Sequence, residues 1–415
     1  MKRRKAIIIL ILLLIGSAVS AQDRLDSYLT EAARNNPGLK SKFTEFEAAL
    51  EKVPQAGSLP DPQITFGYFI QPVETRVGPQ KARISATQMF PWFGTLKAKK
   101  DAASEMANSK YQVFEEAKST LFYDVKSTYY NLYFTQKAID ITKDNIDILN
   151  TFRKLALIKV EAGYSSTVDV LRTEMEIADL ENQLALLKDN YTVMQTSFNN
   201  LLNVENDREI VLPDSLSSPD LNLTDTSIID SIKSRNHQVL QMDFMESSYE
   251  KQQQVAKDMR KPNFALGFDY MVIGKSSDPM NSSLQQGKDA FVFPMVGITI
   301  PLYRKKYTSM VKEAMLMQQS AKAGKLDKIN ILETTFEKAK RDYSDANRRI
   351  SLFEGQSDKA GKALSILQTA YETDGKNFEE VLRMERQLLK YKLELEKALA
   401  DKNAAIAFID YLMGK

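Results

Sequence analysis

The sequence predicts a mainly α-helical fold with a small β part, in which one structural unit is used twice. Three observations lead there: self-similarity at a spacing of about 200 to 212 residues, heptad seams of apolar residues, and four stretches of about ten residues that alternate as strands do.

The self-similarity is read from paired landmarks. Pro62 and Pro262 each open a strand-like stretch, and Phe90-Pro91-Trp92-Phe93 and Ile300-Pro301-Leu302-Tyr303 close the matching strand pairs. Gly163 precedes Val170-Leu171-Arg172 and Glu174, as Gly375 precedes Val381-Leu382-Arg383 and Glu385. The order gives a leader at 1–21, a first repeat at 22–211, a linker at 212–222 and a second repeat at 223–415. Each repeat is a helix, a strand hairpin (about 62–91, then about 262–301) and a long helical hairpin (about 95–202, then about 304–413). Pro213, Pro219 and several Ser and Asp residues mark the linker as a surface connection.

The strands are read from period-two patterning. Ile64, Phe66, Tyr68 and Ile70 alternate with Gln63, Thr65 and Gly67, while Phe264, Leu266, Phe268, Tyr270 and Val272 alternate with Ala265, Gly267 and Asp269. Their partners are Ala82 to Phe90, with Arg83, Ser85 and Thr87 on one face, and Phe291 to Ile300, with Val296, Ile298 and Ile300 opposed to Gly297 and Thr299. About ten residues is the length at which a tilted strand crosses a bilayer. A soluble sandwich shows the same alternation, so both readings stand at this point. Pro72 to Lys81 and Gly274 to Asp289 are polar and read as the hairpin turns.

The helices are read from the seams. Ile329, Phe336, Tyr343 and Ile350 with Leu332, Ala339, Ala346 and Phe353 form one a/d series; Ile177, Leu184, Tyr191 and Phe198 with Leu180, Leu187, Met194 and Leu201 form another. No Pro or Gly interrupts Thr95 to Ala162, so a single helix there would run roughly 100 Å. Gly163 and Gly375 supply the stops, because glycine accepts the left-handed conformation that closes a helix.

Composition narrows the function. Lys2, Arg3, Arg4 and Lys5 precede an apolar run from Ala6 to Ile15, with Val19, Ser20 and Ala21 after it: the pattern of an export signal cut after Ala21. The full chain carries +2, and loss of those basic residues leaves it nearly neutral, which removes a global electrostatic case for nucleic-acid binding. With no cysteine, disulfides, thiolate chemistry and a lipidated N-terminal cysteine are excluded. With His237 as the single histidine, most hydrolytic triads and zinc sites go too, and no phosphate loop or paired-carboxylate cleft stands out. No enzyme activity and no cofactor are expected. Met242, Met245, Met259, Met310, Met315 and Met317 invite a soft-metal reading, but methionine at helical spacing is usually flexible core filler.

Four strands alone would leave unpaired backbone at the edges of a sheet in lipid, a cost of several kcal/mol per group. Closure must come from other chains, and three copies would supply twelve strands, within the range of membrane barrels.

Together with the two-fold repeat, Leu59-Pro60-Asp61-Pro62 before the first strand, Gln88-Met89-Phe90-Pro91-Trp92-Phe93-Gly94 at the strand-helix junction, and Gly163 with Asp169-Val170-Leu171 at the hairpin tip resemble the TolC outer-membrane efflux family over essentially the whole mature chain. The junction is closest to the heavy-metal efflux branch. The resemblance implies a homotrimer with a 12-stranded barrel in the outer membrane of a Gram-negative bacterium and a periplasmic α-barrel. It implies passive conduction of substrate from a periplasmic adaptor and an inner-membrane pump of the resistance-nodulation-division type. A duct for protein secretion and a poreless coiled-coil scaffold are the alternatives.

The family closes its tip with acidic residues, and the matching positions are Glu380 and Asp169, which three-fold symmetry would turn into rings that favour cations. A carboxylate favoured by the start of a helix is the plainer reading of both. The next family acid is replaced by Arg383, with Arg172 in the first copy, so that Arg-carboxylate pairs between subunits would hold the resting tip closed. Gly163 and Gly375 are the expected adaptor-docking turns. Trp92, Phe93 and Tyr303 are the expected aromatics at the membrane interface, in contact with outer-membrane lipid.

Overall fold

The structure is a computed structural model that describes residues 21–217, 220–221, 224–275, 287–374 and 378–415. The expected leader through residue 20, part of the linker, most of the second strand-hairpin loop and Gly375 lie outside the described residues.

The chain runs twice through one series of elements. Helices α1 (Ala21–Asn35) and α2 (Pro37–Gly57) lead to strands β1 (Gln63–Thr75) and β2 (Gly78–Phe90), then to α3 (Thr95–Glu161) and α4 (Thr167–Leu202). The second pass is α5 (Asp225–Arg235), α6 (His237–Asp258), β3 (Asn263–Ile273), β4 (Ala290–Thr299), α7 (Arg304–Asp374) and α8 (Phe378–Leu412). The long helices α3 and α7 have 67 and 71 residues, far beyond the three or four turns of an average globular helix. Among the described residues no helix is long and apolar enough to cross a membrane.

By contacts the chain forms two compact units. One comprises the chain up to Ser41, Phe114–His237 and Ile329–Lys415; the other comprises Lys42–Val113 and Gln238–Lys328 and includes all four strands.

In the strand-bearing unit the sheet is antiparallel in the order β1-β2-β3-β4. Phe66 faces Ile84, Ile84 faces Tyr270, and Leu266 faces Val296, so most of the aromatic and branched apolar residues share one face, while Met89, Met271, Val292 and Met295 fall on the other. The sheet joins two hairpins through the β2–β3 pairing, which brings together segments more than 170 residues apart. Gly267 is required there, since a side chain would put its Cβ 2.6 Å from the Ala86 carbonyl oxygen. The first hairpin reaches further than its sequence suggests. Where a polar loop is expected from Pro72 to Lys81, β1 runs to Thr75 and β2 starts at Gly78. The register shifts between Tyr68 and Val73 and then resumes to a Thr75–Gly78 pair, where Thr75 Oγ1 donates to the Gly78 carbonyl at 2.6 Å. Such an irregularity absorbs Pro72, whose missing N–H would break a regular ladder. β2 ends one residue before Pro91 for the same reason.

In the same unit, Ser248 Oγ donates to the Ala102 carbonyl at 2.9 Å, Gln253 donates to Gln318 at 2.6 Å, and Lys325 pairs with Asp243 at 2.5 Å. These contacts tie α6 to α3 and to α7.

The other unit holds two apolar cores. One gathers Tyr28, Leu29, Val125, Tyr129, Leu132, Phe198 and Leu202 from α1, α3 and α4; Tyr28 meets Phe198 edge-on at 5.2 Å. The second gathers Leu149, Phe152, Ile177, Tyr371, Phe378, Val381 and Leu388 from α3, α4, α7 and α8. The heptad seam of α7 faces inward, with Leu332, Phe336, Ala339 and Ala346 all buried.

Candidate functional site

Two sets of residues answer the sequence expectations: the helical ends around residues 159–172 and 371–386, and the two faces of the sheet.

At the first helical end, α3 stops at Glu161 and the chain turns through Gly163, whose φ of 74° only glycine adopts without strain. Gly163 N donates to the Val160 carbonyl at 3.0 Å and Tyr164 N to the Lys159 carbonyl at 2.8 Å, satisfying carbonyls that the helix end leaves open. Ser166 then caps α4, its hydroxyl accepting from Val168 N at 3.2 Å. Asp169 lies in the first turn of α4 and accepts from Ser165 Oγ at 2.6 Å. Its geometry is that of a helix-start carboxylate favoured by the backbone dipole. Ser165 is in turn 3.4 Å from the Tyr371 hydroxyl on α7.

At the second end, Glu379 and Glu380 occupy the first turn of α8. Arg172 Nη1 of α4 meets Glu379 Oε2 at 3.0 Å, linking the two helical hairpins, while Arg383 pairs with Glu380 one turn earlier on its own helix. Both arginines have a carboxylate partner inside the chain. The reason is local: Glu380 is three residues before Arg383, and Glu379 faces Arg172 from the neighbouring hairpin. Arg386 adds a longer pair to Glu176 at 3.6 Å. Lys159 Nζ donates to the Glu372 carbonyl at 2.9 Å and sits 5.1 Å from the centre of the Tyr371 ring.

Beneath these exposed pairs is a residue whose role the sequence did not disclose. Glu385 is 2% exposed, accepts from Asn145 Nδ2 at 2.6 Å, and leaves Oε2 without a hydrogen-bond partner. Burial pushes its carboxyl above the usual glutamate range, against the opposing pull of Lys392 and the Asn145 hydrogen bond. The signal was present in the phase of α8: Val381, Leu382, Leu388 and Leu389 are buried, and Glu385 falls in the same stripe. Its counterpart in the first repeat, Glu174, is exposed.

The sheet has two unlike faces. On one, Ile70 is 90% exposed, Phe66 68% and Val296 68%, with Ile64, Tyr68, Phe291 and Ile298 beside them. The other carries the small and polar residues Thr65, Gly67, Ser85, Thr87, Gly267, Gly297 and Thr299, with Met89, Met271, Val292 and Met295 among them, around the Arg83–Asp269 ion pair. In that pair Arg83 Nε donates to Asp269 Oδ1 at 2.7 Å and Nη2 approaches Oδ2 at 2.6 Å, a two-point contact across β2 and β3. Asp269 is buried and Arg83 half exposed. Both residues stand on the small-residue face in the sequence pattern, but only the β2–β3 register shows that they meet.

Of the expected interface aromatics, Trp92 stacks on Phe264 at 5.8 Å and Phe93 approaches it at 6.2 Å, which places both rings at the lower end of the apolar face. Lys261 Nζ lies 5.6 Å from the Trp92 ring centre. Tyr303, just before α7, is also strongly exposed.

The family model described as "Outer membrane efflux protein" matches residues 28–204. Among solved structures, the outer membrane protein VceC from Vibrio cholerae is similar at a TM-score of 0.77 and 16% identity, over 94% of this chain and 96% of that one. CusC, described for its folding and transmembrane channel formation, gives 0.77 and 16% over 94% and 92%. The open state of the MtrE outer membrane channel of Neisseria gonorrhoeae gives 0.75 and 14% over 94% and 89%. No curated protein sequence matches the chain. The family model matches the first repeat and the fold match spans both, so the chain has the fold of these TolC-like outer-membrane channels.

Proposed function

We propose that three copies of this chain close into an outer-membrane exit duct that conducts substrate passively. A periplasmic adaptor and an inner-membrane pump, of the resistance-nodulation-division type, would deliver the substrate. The observation that supports this reading most directly is the sheet. One face offers mainly large aromatic and branched side chains to the surroundings, the other is mainly small and polar, and among the described residues β1 and β4 each have an unpaired edge. In water that apolar face would forfeit about 25 cal/mol for each Å² left uncovered. In lipid it is satisfied, and edges that need partners are satisfied by neighbouring copies. Small side chains and the Arg83–Asp269 pair then line the lumen, where bulk would narrow the bore.

The duplicated order of elements fits this role, since two related hairpin units per chain make a quasi-six-fold wall from three chains. An export signal at 1–21 would deliver the chain to the periplasm without a lipid anchor. Gly163 is the turn offered to the adaptor, with Gly375 its counterpart in the sequence of the second repeat. Asp169 and Glu380 remain the candidate acidic positions of the tip, with Arg172 and Arg383 moderating their charge. The Arg172–Glu379 and Arg386–Glu176 pairs and the Asn145–Glu385 hydrogen bond hold the two hairpins of one chain together in the resting tip.

The test is reconstitution of the detergent-extracted protein into planar bilayers. Stepwise ion conductance from a trimeric species supports the duct, and a water-soluble, non-conducting product would overturn it. A susceptibility panel of metals, dyes and antibiotics on a strain lacking the protein then reads the cargo.

A further inference from the structure

In the strand-bearing unit, a cavity of about 690 Å³ adjoins the end of the sheet's apolar face. Its position is fixed by Phe93, which both lines the cavity and contacts Phe264 of that face. On α3 it is lined by Lys97, Ala98 and Asp101, on α6 by the stripe Glu250, Gln254 and Lys257, spaced four and three residues apart, and just after α6 by Lys261. A smaller groove lined by Ala103, Met106 and Val255 uses residues about half a turn away on the same two helices, so the two openings lie on opposite faces of that helix layer.

The charges in the larger cavity are unusual in being unspent. Lys261 is paired with Asp258 at 2.8 Å. Lys97, Lys251, Lys257, Asp101 and Glu250 make no ion pair among the described residues, although both signs line one opening. Free lysines suit a phosphate, and free carboxylates suit a primary ammonium. A ligand that has both in one small head satisfies both sets at once.

We infer that this cavity is a binding site for the head group of a zwitterionic aminophospholipid of the periplasmic leaflet. The phosphate is held by Lys97, Lys251 and Lys257, and the ammonium by Asp101 and Glu250. The acyl chains then rise past Phe93 and Trp92 along the apolar face of the sheet, as expected where an aromatic belt meets head groups. This inference rests on the membrane reading above, because it takes the apolar face as the lipid-facing one.

The experiment uses the full chain, stripped of lipid in detergent and titrated with phosphatidylethanolamine, phosphatidylglycerol or soluble phosphoethanolamine while native mass spectrometry counts bound molecules. Conductance is measured on the same preparation. Phosphatidylethanolamine is expected to bind in preference to phosphatidylglycerol, and K251Q/K257Q to weaken it about tenfold or more, since each lysine at a membrane surface contributes a several-fold factor. D101N/E250Q is expected to abolish the preference for phosphatidylethanolamine while still binding phosphatidylglycerol. All these side chains lie on the surface of their helices, so folding is retained, and unchanged conductance checks it. Equal retention by wild type and K251Q/K257Q would overturn the site. A preference of the wild type for phosphatidylglycerol would overturn the zwitterionic assignment. Displacement of the lipid by soluble phosphoethanolamine at comparable concentration would overturn the lipid as source in favour of a soluble phosphorylated amine. A conducting protein without lipid selectivity fails this inference alone; a lipid-selective protein that never conducts fails the duct.

Discussion

The sheet and the helical ends use the same kinds of side chain in opposite ways. In the sheet, Phe66, Ile70 and Val296 are turned outward and largely exposed. Around Tyr371 and Phe378, whose rings are 4.7 Å apart, every large apolar residue of the core is turned inward, and Val381 is 1% exposed. Hydrophobic burial therefore does different jobs in the two places. In the helical ends it is completed within one chain; in the sheet it is not, and under the proposed function lipid and neighbouring copies complete it. Polar groups follow the same division: the sheet keeps its ion pair on the small-residue face, whereas the helical end buries a carboxyl, Glu385, among apolar side chains.

The largest effect is expected from breaking the side that is complete within the chain. Phe378→Ala removes a ring from a filled core and should lower the stability of the helical unit by about 3–5 kcal/mol, read from the denaturation midpoint. The same truncation of exposed Phe66 in the sheet should change the midpoint in detergent by much less, and equal losses would erase the contrast.

Next in size is the lipid-facing surface. Arg at Phe66 or Val296 should cost about 2–4 kcal/mol in a bilayer and reduce the assembled, membrane-embedded fraction. Arg at Ser85, on the opposite face, should leave assembly intact and alter ion selectivity instead. Equal tolerance on both faces would remove the case for lipid on one side and water on the other.

Glu385 gives the third. Its folded pKa lies above the ordinary value of 4.5, so the folded state keeps a proton that the unfolded state has lost. Stability is therefore expected to fall as pH rises from about 4.5 through the folded pKa, and to be highest below that window. Glu385→Gln keeps an uncharged side chain and an acceptor for Asn145, and should flatten the pH dependence of thermal unfolding. An undiminished slope would show that the proton uptake belongs elsewhere. The smallest effect on stability is expected at the exposed arginines. Arg172→Gln or Arg383→Gln should cost less than about 1 kcal/mol, as solvent-exposed pairs do. Each should nonetheless raise the conductance of the isolated channel, and unchanged conductance would argue against arginine latches.

Much of this contrast is legible in the sequence, for physical reasons that differ by element. The strands announce themselves because a two-residue period with Phe, Ile and Tyr on one side and Gly, Ser and Thr on the other survives any register. The heptads of α7 and the stop at Gly163 are equally local, since seam spacing and a positive φ need no distant partner. Pairings between distant segments are not local. The Arg83–Asp269 contact depends on β2 lying beside β3, and Arg172 meets Glu379 only because the two helical hairpins are neighbours. The extension of the first hairpin to Thr75 and Gly78 was hidden because Pro72, Gly78 and Pro79 read as a loop, whereas a register shift admits them to the strands.

The central claim is that the open edge of β1 meets the open edge of β4 in the next copy and that the ring closes at three. Because the chain has no cysteine, a cross-linking experiment starts from a clean background: cysteine at Thr65 on β1, combined in turn with cysteine at each position from Met295 to Thr299 on β4, oxidised in lipid vesicles. One or two of these pairs should give a ladder of covalent species that ends at the trimer. Only intrachain disulfides, or a ladder that continues past three, would contradict it.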